Sequence, residues 1–264
     1  MNRRNFLKTT TTTTSALYLP LIKEIPTDSN PLVRKLFVYG GEINRGFIKY
    51  VASLTGKENP KICFLPTASG DAPGYTMNWF EYCAGLPILP YVQRSFISSY
   101  RQKESFKNVF TNMDAILVGG GNTLNMMAIW KVQGMDIALR EAYEKGVVLG
   151  GGSAGSLCWF EHGTTDSRPG KLTTVEGLGF IKGSHSPHYD GESERKPLYW
   201  SKIKSGEYKS GYACDNKAGI YFENEEVKEV VSLDEKSNAY FVNLSGGEIK
   251  ETVLQKVVLP PAWP

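Results

Sequence analysis

Histidine is scarce, with only three in 264 residues, and the four cysteines (Cys63, Cys83, Cys158, Cys214) are scattered. No Cys-x-x-Cys pair or His/Cys cluster occurs, which argues against a structural zinc site, and spacing alone shows no disulfide. A formal net charge of +3, without a basic run on an aromatic-studded strand, argues against a nucleic-acid partner. Neither G-x-G-x-x-G nor a Walker lysine pattern is present, so no phosphate cradle of those kinds is expected. No apolar run is long enough to span a bilayer stably. There is no internal repeat and no long linker. A chain of 264 residues, 41% hydrophobic and 22% charged, can therefore bury a sizeable core in a single domain.

What is present begins with paired arginines. Asn2-Arg3-Arg4-Asn5-Phe6-Leu7-Lys8 precedes a short, uncharged, threonine-rich stretch running to Ile22. A positive segment followed by a moderately apolar one reads as an export signal, and the arginine pair resembles a twin-arginine signal. Residues 1–30 are expected to be signal and leader, and 33–255 the folded domain. The expected location is periplasmic or otherwise exported. A disordered tail on a cytoplasmic protein is the competing reading.

From Val33 onward, short aliphatic runs alternate with helical stretches. Strands are predicted at 36–39, 61–65, 86–92, 114–118 and 147–149, with helices between them, which indicates βα units around a parallel sheet. Beyond residue 160 the pattern changes. Residues 161–174 are polar and turn-rich, 188–209 charged, and short strands at 218–222, 227–233, 239–243 and 249–253 predict an antiparallel extension.

Two glycine turns fall at strand ends, where α/β sheets place ligands. Gly151-Gly152-Ser153-Ala154-Gly155 fits the G-x-S-x-G elbow, in which a serine projects from a strained strand-to-helix turn. The helix after it would aim free N–H groups toward the serine. Gly119-Gly120-Gly121-Asn122-Thr123 is the second turn. Backbone N–H groups near Gly120 or Gly121, with that of Ala154, form a candidate oxyanion hole, and Asn122 and Thr123 are candidate substrate contacts. A serine nucleophile needs a base, from His162, His185 or His188, and an acid to orient it, from Asp166, Asp190 or Asp215. An acidic substrate side chain needs a cation. Arg195, close behind His188, is the first candidate and Arg168 the next.

The two turns together with Ser186-Pro187-His188-Tyr189 resemble the serine peptidase family of peptidase E (aspartyl dipeptidase) and cyanophycinase, over essentially all of Val33 to Val253. The resemblance implies a flavodoxin-like, class I glutamine amidotransferase-like three-layer α/β sandwich with a mostly parallel sheet. It implies Ser153 as nucleophile, His188 as base, and Asp215 as the orienting acid, with Asp166 as the alternative. The surroundings of His188 are nearer a peptidase E-like branch than typical peptidase E. No metal or organic cofactor is implied. The expected activity is hydrolysis of small peptides with N-terminal aspartyl residues. The alternatives are cyanophycinase-like cleavage of β-Asp-Arg bonds, an esterase, or a non-catalytic exported binding protein. The sequence leaves a homodimer open.

Overall fold

The computed structural model describes residues 32–98 and 100–261. The arginine pair and threonine run read as an export signal lie outside the described residues. Five parallel strands form the centre: β1 (Lys35–Tyr39), β2 (Lys61–Leu65), β3 (Leu89–Val92), β4 (Ala115–Val118) and β5 (Val148–Gly152), in the order β3-β2-β4-β5-β1. Successive side chains point to opposite faces, and both faces are covered, so the inner strands are apolar throughout rather than alternating. Phe37, Phe64 and Leu117 face α1 (Arg45–Leu54) and α2 (Pro73–Cys83), where Trp79 stacks on Phe64 at 5.3 Å. Val38, Leu65 and Val118 belong to the opposite core, with Phe110, Met126 and Leu139 of α3 (Phe106–Thr111), α4 (Thr123–Gln133) and α5 (Met135–Glu144).

The architecture is an α/β sandwich with mixed sheets, and it departs from the flavodoxin order 2-1-3-4-5. The first strand of the chain lies beside the fifth, at the far end of the parallel set. The antiparallel extension also differs from expectation, because its strands divide between two sheets. After α6 (Ala154–Leu157) come β6 (Phe160–Arg168), β7 (Lys171–Glu176) and β8 (Ile181–Ser186), then α7 (Arg195–Lys204). The chain ends with β9 (Gly211–Cys214), β10 (Ala218–Glu223), β11 (Glu226–Ser232), β12 (Ala239–Ser245), β13 (Glu248–Val253) and β14 (Val257–Val258). Strands β10, β11 and β14 join the main sheet beyond β1, making it eight-stranded. The others form a six-stranded sheet in the order β13-β12-β9-β8-β6-β7.

The polar stretch 161–174 is thus a β-hairpin rather than loop. Its threonines are β-branched and suit a strand, and their hydroxyls find partners in the sheet interior. Thr164 pairs with Ser186 at 3.0 Å and Thr165 with Ser167 at 2.7 Å. All four cysteines are buried free thiols. Among the described residues, no helix is long and apolar enough to cross a membrane.

Candidate active site

Strand β5 lies between β1 and β4, whose chains leave toward opposite faces, into α1 and α4. The loops after these strands therefore diverge and open a crevice over the end of β5. Ser153 stands there with φ 53° and ψ −120°, a strained conformation for a side-chain-bearing residue. The elbow has no room beside it. A Cβ on Gly152 would come within 2.1 Å of the Gly41 carbonyl oxygen, and one on Gly155 equally close to that of Val118. The helix that follows, α6, is a single turn of four residues. Ser156 and Leu157 both return their N–H to the Ser153 carbonyl, at 3.0 and 3.1 Å.

His188 and Asn216 arrive from the second sheet. Strands β8 and β9 are parallel neighbours, Ser186 paired with Ala213, and the two residues lie just past their carboxyl ends. The His188 backbone, at φ 52°, donates its N–H to the Gly40 carbonyl at the end of β1. Its Nε2 is 2.8 Å from Ser153 Oγ, and its Nδ1 is 2.6 Å from Asn216 Oδ1. With Nδ1–H donating to the amide oxygen, the Nε2 lone pair faces the serine hydroxyl. Asp190 Oδ1 accepts the Asn216 N–H at 2.9 Å and fixes that turn.

The acid expected from the sequence is therefore not the group on the imidazole. Asp215 turns its carboxylate the other way, accepting from the Asn238 N–H at 2.7 Å and the Tyr240 hydroxyl at 3.2 Å. Burial, with the Asp190 charge adding to it, raises its pKa above the usual carboxylate value. Asp166 is exposed on β6, where the β6–β7 pairing shifts register. Asn216 was missed because an amide next to an aspartate carries no sequence signal for orienting a base.

The turn after β4 keeps its expected place. The position a Cβ would take on Gly120 is 3.2 Å from Ser153 Cβ. Among the described residues, the N–H groups of Gly120, Gly121 and Ala154 donate to no protein acceptor, while Gly119 and Asn122 on either side donate to Leu65 and Ala68. Three substrate contacts need correction. Asn122 caps α4 by accepting from Asn125 N–H at 2.9 Å, and donates Nδ2–H to the Ser167 carbonyl. Thr123 is buried under Thr165. Arg195 is 1% exposed. Its guanidinium is taken up by Glu192 at 2.8 Å and the Thr164 carbonyl at 2.7 Å, because a buried cation must have its partners inside the protein.

The other two histidines lie away from the serine hydroxyl. His162 stacks on Tyr208. His185 is fully buried below the elbow, stacked on Phe160, with Nδ1 3.1 Å from the Tyr212 carbonyl and Nε2 3.0 Å from Ser156 Oγ. Ser156 Oγ in turn donates to the Ser153 carbonyl at 2.7 Å, so His185 underpins the Ser153 backbone. Burial pushes this imidazole from 6.5 down to about 3. The unfolded chain then takes the proton more readily than the folded one. The corresponding stability is full above pH 6.5 and is lost as the pH falls toward about 3. Denaturant midpoints at pH 7 and pH 4.5 should accordingly diverge less in His185→Gln than in the wild type. An equal pH dependence in both would rule out this role.

Residues 37–230 match peptidase family S51. The chain is 42% identical over 212 residues to "Uncharacterized peptidase YgaJ" of Bacillus subtilis (strain 168), covering 80% of this chain and 90% of that one. Its fold resembles a crystal structure of a putative peptidase E protein from Listeria monocytogenes EGD-e, with TM-score 0.56, 20% identity, and 76% of this chain and all of that one covered. It also resembles a peptidase from an acI-B1 Actinobacterium, with TM-score 0.66, 14% identity, and 86% and 96% covered. The matched segment contains the elbow, the histidine on the serine and the amide behind it, and the chain belongs to peptidase family S51.

Proposed function

We propose that the protein is a serine peptidase using Ser153, His188 and Asn216, and that it releases N-terminal aspartyl residues from short peptides. The observation that carries the proposal is the 2.8 Å approach of His188 Nε2 to Ser153 Oγ at a strained elbow. Ser153 Oγ attacks the scissile carbonyl carbon while its proton passes to Nε2. The carbonyl oxygen becomes an oxyanion facing the unpaired N–H groups of Gly120, Gly121 and Ala154. Collapse of the intermediate breaks the C–N bond, and the imidazolium gives its proton to the leaving amine. Water, deprotonated by the same nitrogen, then hydrolyses the acyl-enzyme and restores the serine. Asn216 orients the ring through its neutral amide, as the asparagine of a Cys-His-Asn arrangement does.

The aspartyl preference rests on family resemblance, and it calls for a cation to meet the acidic side chain. With Arg195 enclosed, Arg168 takes that role. It is exposed and follows Ser167, whose carbonyl holds the Asn122 side chain two residues from Gly120. It lines a groove with Leu124, Met127, Lys131, His162 and Tyr208, which neither Ser153 nor His188 lines. The test is a panel of Asp-Leu, β-Asp-Leu, Asn-Leu and Ala-Leu. Asp-Leu should be the best substrate, and Arg168→Ala should lower its kcat/KM by about tenfold or more relative to Ala-Leu, as loss of a charge-assisted hydrogen bond does. Preference for β-Asp-Leu would move the reading toward isopeptide cleavage. A uniform loss over the panel would leave Arg168 a supporting role only.

A further inference from the structure

Glu42 stands beside the Ser153, His188 and Asn216 arrangement without being part of it. It lies in the loop after β1, facing the turn after β4 across the end of β5. Its carboxylate oxygens are 3.3 and 3.4 Å from the point where a Cβ on Gly120 would stand, and Ser153 Cβ is 3.2 Å from the same point. Nucleophile and carboxylate thus border one small volume, left open because residue 120 has no side chain. Glu42 is exposed, and its carboxylate makes no hydrogen bond or ion pair among the described residues. The nearby Arg45 directs its guanidinium to the Tyr82 and Ala84 carbonyls. The Glu42 charge reaches two phenols. It is the leading cause of the raised Tyr75 pKa, and it adds to the burial that raises Tyr39.

A lone carboxylate here is unfavourable for the chemistry proposed above. The reaction builds an oxyanion at Gly120 and Gly121, and a fixed negative charge beside it raises the transition-state energy. The opposition disappears when the substrate itself brings a cation into the gap. In a peptide cut after its first residue, the α-ammonium is bonded to the same Cα as the scissile carbonyl, which places it within this range of the nucleophile. Resting on the serine-peptidase reading, we infer that Glu42 binds the substrate's free α-ammonium group and so restricts fast turnover to the first peptide bond of an unblocked chain. A peptide without that ammonium is held less well, and its oxyanion forms against an uncompensated charge.

The experiment compares aspartyl p-nitroanilide with succinyl p-nitroanilide, its isostere lacking the amine, in wild type, Glu42→Gln and Glu42→Asp. Wild type should favour the aspartyl compound in kcat/KM by about a hundredfold, as loss of an ionic hydrogen bond implies. In Glu42→Gln the aspartyl rate should fall while the succinyl rate rises, so that the ratio collapses toward one. Glu42→Asp should recover part of it. Opposite movements on two substrates are not produced by loosening the fold. Parallel loss on both substrates would overturn the assignment, as would an unchanged ratio. A wild type that takes a fluorophosphonate on Ser153 yet turns over the aspartyl compound no faster than the succinyl one would overturn it too. Absence of labelling on Ser153 would instead remove the serine-peptidase reading, so the two failures are distinguishable.

Discussion

Ser153→Ala is expected to lower kcat on the best peptide by about four to six orders of magnitude, as loss of a triad nucleophile does. The crevice should still bind substrate, because Gly120, Gly121 and Glu42 belong to other loops and Ala154 contributes only its backbone N–H. The loss should therefore fall on kcat, with the dissociation constant of an uncleaved peptide little changed in calorimetry. A second variant separates chemistry from folding. At φ 53° a side chain is held in a strained region that glycine enters freely. Ser153→Gly should be as inactive as the alanine variant, while its unfolding midpoint rises by an amount equivalent to about 1 kcal/mol. Activity in either variant above about a tenth of wild type would exclude Ser153 as nucleophile.

The next largest effect is expected at Asn216. Its Oδ1 holds His188 Nδ1–H at 2.6 Å, and the ring has no other side-chain partner on that side among the described residues. Without it the imidazole can rotate or adopt the tautomer that presents N–H to the serine, and misassigned tautomers cost up to about 10⁴ in rate. Asn216→Ala should lower kcat by about a hundredfold or more, with KM nearly unchanged. Asn216→Asp preserves shape and adds a charge that stabilises the imidazolium formed in the transition state. It should match or exceed the wild type near neutral pH, with the acid limb of its pH–rate profile displaced to higher pH. Asp215→Asn separates the neighbouring residues. Because that carboxylate anchors Asn238 and Tyr240 rather than the ring, its loss should appear mainly in stability. Full activity in Asn216→Ala would remove the residue from the mechanism.

The parts legible in the sequence were those written in local pattern. Val148-Leu149 running into glycines placed the elbow, and the aliphatic runs of β1, β2 and β4 gave the parallel core, since strands buried on both faces must be apolar throughout. His188 was readable from its motif. The orienting residue was not, because which of Asp215 and Asn216 faces the ring depends on the turn after β9. That four-residue strand, Gly-Tyr-Ala-Cys, carries no apolar run to announce it. Arg195 looked available because a sequence shows a charge but not its burial. Glu192, three residues earlier on the same turn, was the visible hint that it was paired. The division into two sheets depended on long-range pairing of β10 with β1, across more than 170 residues, which no local window contains.

The reacting groups come from both sheets, and this sets an order of events during synthesis. The ribosome adds the proposed nucleophile, Ser153, well before the proposed base, His188, and its holder, Asn216. The turn that aims the holder is anchored later still, through Asp215 to residues 238 and 240. A nascent chain carrying only the parallel core thus has a serine with no means of losing its proton. On the proposed mechanism, hydrolytic competence arrives only once residues 216–240 have been made, so shorter products stay inert toward peptides.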